Sequence, residues 1–382
     1  MNLRTFILSK LPWRVQGFLG GRPQKTISIH AFEKQLVYSG TLSFFSKPIT
    51  LDKEFHQNFT ENFCFPSNPI YLCKLKEARV FRNNGIFSVI NNSDELIAEL
   101  STDPLKRAIH PIYTEAFLPL PVRLKGRVLM LATLGADWVY FHWLIDFLPK
   151  LVVIEEAGYS YNDFSHIIVN PFTFPLQKES LERMGVPLEK IVFLEEGHHY
   201  LADELLISTE IKHNPSTNKL LKRHLQKKSN ASPTNRVFIS RKGSKWRNVV
   251  NEKELEKLLE KYNFTIVENE KMNLNEQIEC FNNANLILST HGANLTNIFF
   301  CTPGTKVIEI IADWHHCVDY WILSNNNQLD YFHVPSQSQP SFEELNYRVT
   351  QNYNLIVDIE LLERQILRAI NEIERENLSV GN

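Results

Sequence analysis

The spacing of apolar positions changes along this chain, and the change divides it. From residue 235 onward, short apolar runs alternate with amphipathic stretches. "RVFISR", "FTIVEN", "LILST", "KVIEII" and "DYFHVP" are bounded runs rich in Val, Ile and Phe, the pattern of strands buried on both faces. Between them, "NEKELEKLLEKYN", "NLNEQIECFNNA" and "CVDYWILSNNN" carry apolar residues at helical spacing, and "NLTNIFFC" predicts a short helix. Asn251 is placed to cap the first of these helices. "DIELLERQILRAINEIER" closes the chain, with Ile359, Leu362, Ile366, Ala369, Ile370 and Ile373 along one face. Alternation of this kind predicts a parallel sheet wrapped by helices, a Rossmann-like α/β domain.

Upstream the pattern is less even. "RVLMLATL" reads as a buried strand, and "VYFHWLIDFLPKLVVIEEAG" as a helix stopped by Gly158. "HIIVN", "KIVFLE" and "DELLIST" read as strands, "PLQKESLERMGV" as a helix, and a basic helix follows near 215–228. Residues 1–120 offer only short β-like runs such as "TISIH" and "GIFSVINN" among many Asn, Pro and Phe. The polar stretch "KKSNASPTN" (227–235) has no apolar periodicity and reads as a linker. The expected division is therefore 1–230, a less regular α/β domain, and 231–382, a Rossmann-like domain whose last helix is free to return to the first.

Composition narrows the function classes. The chain has 382 residues, enough for two domains, and a formal net charge of -2 from 41 basic and 43 acidic side chains. That balance argues against a nucleic-acid partner. The five cysteines (64, 73, 280, 301 and 317) are odd in number and scattered, as reduced thiols are. Sequons such as Asn58-Phe-Thr and Asn294-Leu-Thr are taken as chance, because the N-terminus has no secretory signal pattern. Leu3, Phe6, Ile7, Leu11 and Trp13, with Arg4, Lys10 and Arg14, fit either a membrane surface or packing on the protein itself.

Candidate chemistry gathers in loops after the predicted strands, where open α/β sheets bind ligands. "SRKGSKWRN" holds Arg241, Lys242, Lys245 and Arg247. It closes a segment, 212–251, with eleven Lys and Arg and no Asp or Glu. "THGANLTN" holds His291, Gly292, Ala293, Asn294, Thr296 and Asn297. A glycine there lets a ligand approach backbone N–H groups at a helix start, with polar donors alongside. A tight turn with an Asn cap would look the same. In "FHWLIDFLPKL", His142 and Asp146 are four apart and share a helix face, as a base and its orienting partner would. A core histidine satisfied by its neighbour would also look the same. "HHY" (198–200) and "WHH" (314–316) lack a second ligand cluster, so no metal is expected. No "GxxxxGK[ST]", "GxGxxG" or D-x-D is present.

Three blocks in order, "FHWLIDFLPKL", "ISRKGSKWRNVVNE" and "STHGANLTNIFFCTPGTKVIEI", resemble glycosyltransferase family 61 over about residues 125–315. The resemblance implies a GT-B-type fold, two Rossmann-like domains facing a cleft. It implies an inverting, metal-independent transferase with no cofactor besides a nucleotide-sugar co-substrate, a UDP-sugar foremost. The acceptor would be a glycan or lipid-linked saccharide. Arg241, Lys245, Arg247 and the His291–Asn297 loop would then hold the donor. Asp146 would be the base, with His142 orienting or replacing it. Glu309 would meet ribose or sugar hydroxyls, or be structural. Lacking the signal anchor of animal and plant members, the chain would be a bacterial cytoplasmic enzyme of polysaccharide biosynthesis, peripheral at the inner membrane. Two rivals stand beside this reading: a phosphotransferase or hydrolase using His291 or His142, and a non-catalytic nucleotide- or glycan-binding relative.

Overall fold

The computed structural model describes residues 23, 25–51, 59, 63–103, 105, 107–115, 118–226, 233–312, 314, 315, 317–339 and 353–380. The amphipathic segment 3–14, the sequon at Asn58, residues 227–232 of the linker, and His316 lie outside the described residues. The chain forms two compact units. One comprises residues up to Thr41 with Asn68–Lys212, the other Leu42–Ser67 with His213 onward. Among the described residues no helix is long and apolar enough to cross a membrane.

The first unit is built on a mixed nine-stranded sheet. Val122–Met130 runs parallel to His166–Val169, and this strand parallel to Ile191–Phe193, the α/β alternation read from the sequence. On the other side of Val122–Met130 lies His199–Ser208, also parallel, which then pairs antiparallel with Ile70–Asn83. From there the sheet is a meander. Ile70–Asn83 turns through Asn84 and Gly85, both at positive φ, into Ile86–Ile90. That is the Asn-Gly geometry that suits a two-residue hairpin. So one half of the sheet is parallel and the other is antiparallel up to its edge, where Lys25–Ile27 runs parallel to Glu95–Ile97, and the longest strand carries two buried arginines. Arg79 is held by Asp94 at 2.6 Å, and Arg82 by Asp137 at 2.6 Å and Glu196 at 2.8 Å. Paired in this way, the charges can sit inside a sheet that would not tolerate them alone.

The helix expected after Val139 is not uniform. His142–Phe147 is a turn of π-helix, and an α-helix runs only from Pro149 to Glu156. Pro149 has no N–H to give the carbonyl four residues back. Here the chain widens instead, and Leu148 N–H reaches Trp143 O, five residues back, at 3.0 Å. Trp143, Leu144, Ile145 and Phe147 are buried, and Trp143 is pinned by its Nε1–H to Ser180 Oγ at 2.9 Å. Gly158 follows at φ +86°, the expected stop.

The second unit has a six-stranded sheet in the order Thr265–Val267, Asn235–Ile239, Ala284–Thr290, Lys306–Ala312, Asp330–Gln339 and Asn354–Ile356. The first five are parallel and the last is antiparallel. In chain order the parallel strands run 2-1-3-4-5, a doubly wound sheet whose order reverses between its first and third strands. Helices Glu252–Lys261, Leu274–Asn282, Asp319–Asn326 and Ile359–Val380 follow the predicted positions. Asn273 caps the second of these in a reciprocal box with Glu276. Asn251 occupies the expected cap position but makes no side-chain cap bond. Its amide binds the Val357 backbone instead, at 2.9 and 3.0 Å. The short helix after His291 is a 3-10 helix, Ala293–Phe300. The closing helix packs Leu362, Ile366, Ala369 and Ile370 into a core shared with the sheet's strands, as its periodicity required. Leu42–Ser67 joins this unit through Ile49, which bridges to Phe332, and through Phe45, Phe59 and Phe63 around Trp321.

Candidate functional site

In the second unit the switch point falls between the ends of Asn235–Ile239 and Ala284–Thr290, where the two loops singled out in the sequence begin. The structure brings Arg241 and Gly292 into contact there. A Cβ on Gly292 would lie 1.8 Å from Arg241 Nη1, so this position admits only glycine while the guanidinium stays where it is. The glycine thus clears room for an arginine as well as for any ligand. Arg241 donates from Nη2 to Trp246 O at 3.2 Å, but its buried Nε has no partner. Burial, and then the like charge of Arg247, push its pKa down to about 10. Arginine keeps its proton at any ordinary pH, so this depression records a buried charge short of a counter-ion. Arg247 also has a buried, unpartnered Nε, and its backbone sits at φ +61°. A non-glycine residue held in that region stores strain of order 1 kcal/mol, and such strain gathers at ligand sites. The two arginines thus bring two like charges together, each with a buried Nε–H left without a partner. A pocket of about 460 Å³ opens beside Arg241, lined also by Ser240, Lys242, Glu252, Glu256, Glu268 and Thr290.

Other expected donor residues have different employment. Lys245 is exposed and lies over the Trp246 ring, 4.7 Å from its centroid. Asn294 binds Glu270 at 3.1 Å, and Thr296 bonds back to Ala293 O at 2.6 Å. Asn297 is fully buried against Gln277 at 2.5 Å. These three hold the loop and its helix in place. Glu309, expected near a ribose or sugar, is wholly buried, with one oxygen at 2.5 Å from His291 Nδ1 and the other accepting from Tyr331 Oη at 2.5 Å. Burial and Glu309 together push the Tyr331 hydroxyl well up, so it stays a donor. A Tyr331–Glu309–His291 chain therefore fixes the imidazole, and Tyr320 Oη ties Gly292 O at 2.6 Å.

His291 also has unexpected neighbours. Ligand atoms of His291, His315 and Cys317 all lie within 4.8 Å of one another. A carboxylate behind His291 is what a metal-binding histidine commonly has. The Cys317 thiol donates to Asp319 Oδ2 at 3.2 Å, and burial raises its pKa, so it would have to lose this proton to join a metal. A metal ligand must be thiolate. "HHY" has its own hydrogen bonds. His199 donates from Nδ1 to Pro119 O at 2.7 Å, and burial pushes it down to about 4.

The first unit carries the other candidate pair. His142 Nδ1 and Asp146 Oδ2 are 2.7 Å apart, His142 more exposed than Asp146. The π-turn buries its apolar residues and leaves this pair at a cavity of about 140 Å³ shared with Lys150, Glu99 and Glu210. Lys150 is buried and donates to Leu131 O and Ala132 O at 3.2 and 3.4 Å. Burial pushes its pKa down to about 8, against the pull of Asp146 and Glu210. Gly135, at φ +76°, lies under the His142 ring, where a Cβ would come 2.6 Å from Cδ2. Lys150 and Gly135 were not singled out in the sequence. A lone lysine in an apolar helix reads as a surface residue, and a glycine in a turn reads as a turn.

Residues 140–308 match the family described as Glycosyltransferase 61, and the match supports that family for this chain. It covers a little under half of the chain and takes in His142, Asp146, Arg241, Arg247 and His291. A stretch of 60 residues is 35% identical to beta-1,2-xylosyltransferase RCN11 of Oryza sativa subsp. japonica. That stretch is 16% of this chain and 11% of the rice protein, so the chain spans about a tenth of that relative.

Proposed function

We propose that the chain is a glycosyltransferase that moves a sugar from a nucleotide donor, a UDP-sugar foremost, to a hydroxyl of a glycan or lipid-linked saccharide. The observation that carries this is Arg241: a half-buried guanidinium against Gly292, its Nε unpartnered beside Arg247, at the switch point of a doubly wound sheet. The donor's diphosphate supplies the missing anion. As bonding to the anomeric carbon shifts, the bond to the diphosphate breaks with its electron pair, and both guanidiniums take up the developing charge. The acceptor oxygen attacks the opposite face, which inverts the anomeric centre, and its proton passes to Asp146, oriented by His142.

Calorimetric titration with UDP, GDP, CMP and dTDP in EDTA tests the reading. One nucleotide is expected to bind, with unchanged affinity when Mn²⁺ is restored, because the arginines take the place of a metal. Affinity that appears only with metal would hand the charge-neutralising role to His291, His315 and Cys317. Binding of none, with or without metal, would overturn the proposal.

A second expectation concerns Gly135. Gly135→Ala should push the His142 ring aside and cut transfer roughly 10- to 100-fold, since small displacements of a reacting group cost that much. Nucleotide affinity should not change. Transfer at the wild-type rate would show that the position of the His142 ring does not matter.

A further inference from the structure

The pocket beside Arg241 extends past the diphosphate position, and its far end points to a nucleoside. Register sets the scale. Ile239 pairs with Val267 on one side and with Ser289 on the other. The next residues, Glu268, Ser240 and Thr290, therefore leave three adjacent strands at one level, and all three line the pocket. Two strand spacings separate Glu268 from Thr290, about 10 Å. At the Thr290 end two buried polar atoms have no partner: Thr290 Oγ1 and Arg241 Nε. They are a hydroxyl and a cationic donor, and they call for an anionic, oxygen-rich group. At the Glu268 end stands a partly exposed carboxylate, held at 2.7 Å by Lys271. Phe238, Val249, Leu255, Leu259 and Ile266 supply apolar lining, and Lys242, Glu252 and Glu256 charged lining.

We infer that Glu268 is the ribose-recognition residue of this site, and that it selects ribonucleotide over 2′-deoxyribonucleotide donors. The inference rests on the diphosphate reading of Arg241. A carboxylate only accepts hydrogen bonds, and its two oxygens match the two hydroxyls of a ribose 2′,3′-diol. A diphosphate on Arg241 and Thr290 puts the attached ribose one short step along the strand ends, toward Glu268. The base then lies against the apolar lining. Lys271 keeps the carboxylate turned to its place without using both oxygens.

The test is calorimetry with UDP against 2′-deoxy-UDP, GDP against 2′-deoxy-GDP, and inorganic pyrophosphate, on the full chain and on Glu268→Gln. The wild type should prefer the ribonucleotide roughly tenfold or more, the worth of one hydrogen bond to a charged group. Glu268→Gln, the same shape with one oxygen replaced by a donor, should bring the ratio close to one and leave pyrophosphate affinity unchanged. No ribose preference in the wild type overturns the inference, and so does an equal preference in both proteins. In either case nucleotides still bind and the diphosphate reading stands. If neither the nucleotides nor pyrophosphate bind to the wild type, both fall together.

Discussion

Asp146→Asn is expected to lower glycosyl transfer by roughly 10²- to 10⁴-fold, the usual worth of a positioned general base, and to leave nucleotide affinity unchanged. The substitution is nearly isosteric, and the amide oxygen it introduces would still accept a hydrogen bond from His142 Nδ1, now 2.7 Å from the carboxylate. The π-turn is set by Pro149 and by the burial of Trp143 and Phe147, so it should survive. What disappears is the proton acceptor. Steady-state transfer rates and calorimetric affinity, measured on the same preparation, separate the two effects. His142→Ala is the companion variant. If it abolishes transfer while Asp146→Asn retains most of it, the imidazole is the base and the carboxylate only orients it. Loss of nucleotide affinity in Asp146→Asn would remove that residue from the base role altogether.

Arg241→Ala should act the other way round, weakening nucleotide binding by about 1.5–3 kcal/mol, or roughly 10- to 150-fold, with Arg247→Ala similar. The free protein should not suffer. Arg241 makes one hydrogen bond to Trp246 O, leaves Nε unpartnered and faces a like charge, so the ligand-free fold gains little from it. Thermal melts of Arg241→Ala are expected to match or exceed the wild type without nucleotide and to show a smaller rise on adding it. Arg241→Lys should recover affinity only in part, because an ammonium lacks the planar fork that grips two phosphate oxygens. Wild-type affinity in both alanine variants would sink the diphosphate assignment.

The parallel sheet of the second unit was legible because each of its strands is an apolar run with helical spacing between. The antiparallel half of the first unit was not. Its longest strand, Ile70–Asn83, contains Arg79 and Arg82, whose burial depends on Asp94, Asp137 and Glu196, carboxylates distant or unremarkable in the sequence. The π-turn at His142–Phe147 was hidden for another reason: helical and π spacing differ by too little over one turn to show in a pattern of apolar residues. At the two candidate sites, the i,i+4 pair His142–Asp146 of the first unit and the two arginines of the second were visible as charges out of place. Their surroundings were not. Lys150, Gly135, Glu268 and Thr290 matter through strand register and close approach, which single positions do not announce. Glu309 was visible, but its burial against His291 and Tyr331 depends on three parallel strands meeting.

The inclusion of Leu42–Ser67 in the second unit bears on how the chain is made. Ile49 N–H binds Tyr331 O at 2.8 Å, His333 N–H binds Ile49 O at 2.9 Å, and Trp321 Nε1–H binds Ser46 O at 2.8 Å. On the ribosome, an early stretch with exposed Phe45, Phe59 and Phe63 must wait for partners made some 260 residues and more later. At about 5–20 residues per second, that delay is of order tens of seconds. Throughout it, several aromatic side chains lack the surface they cover in the finished protein, the kind of exposure that recruits chaperones.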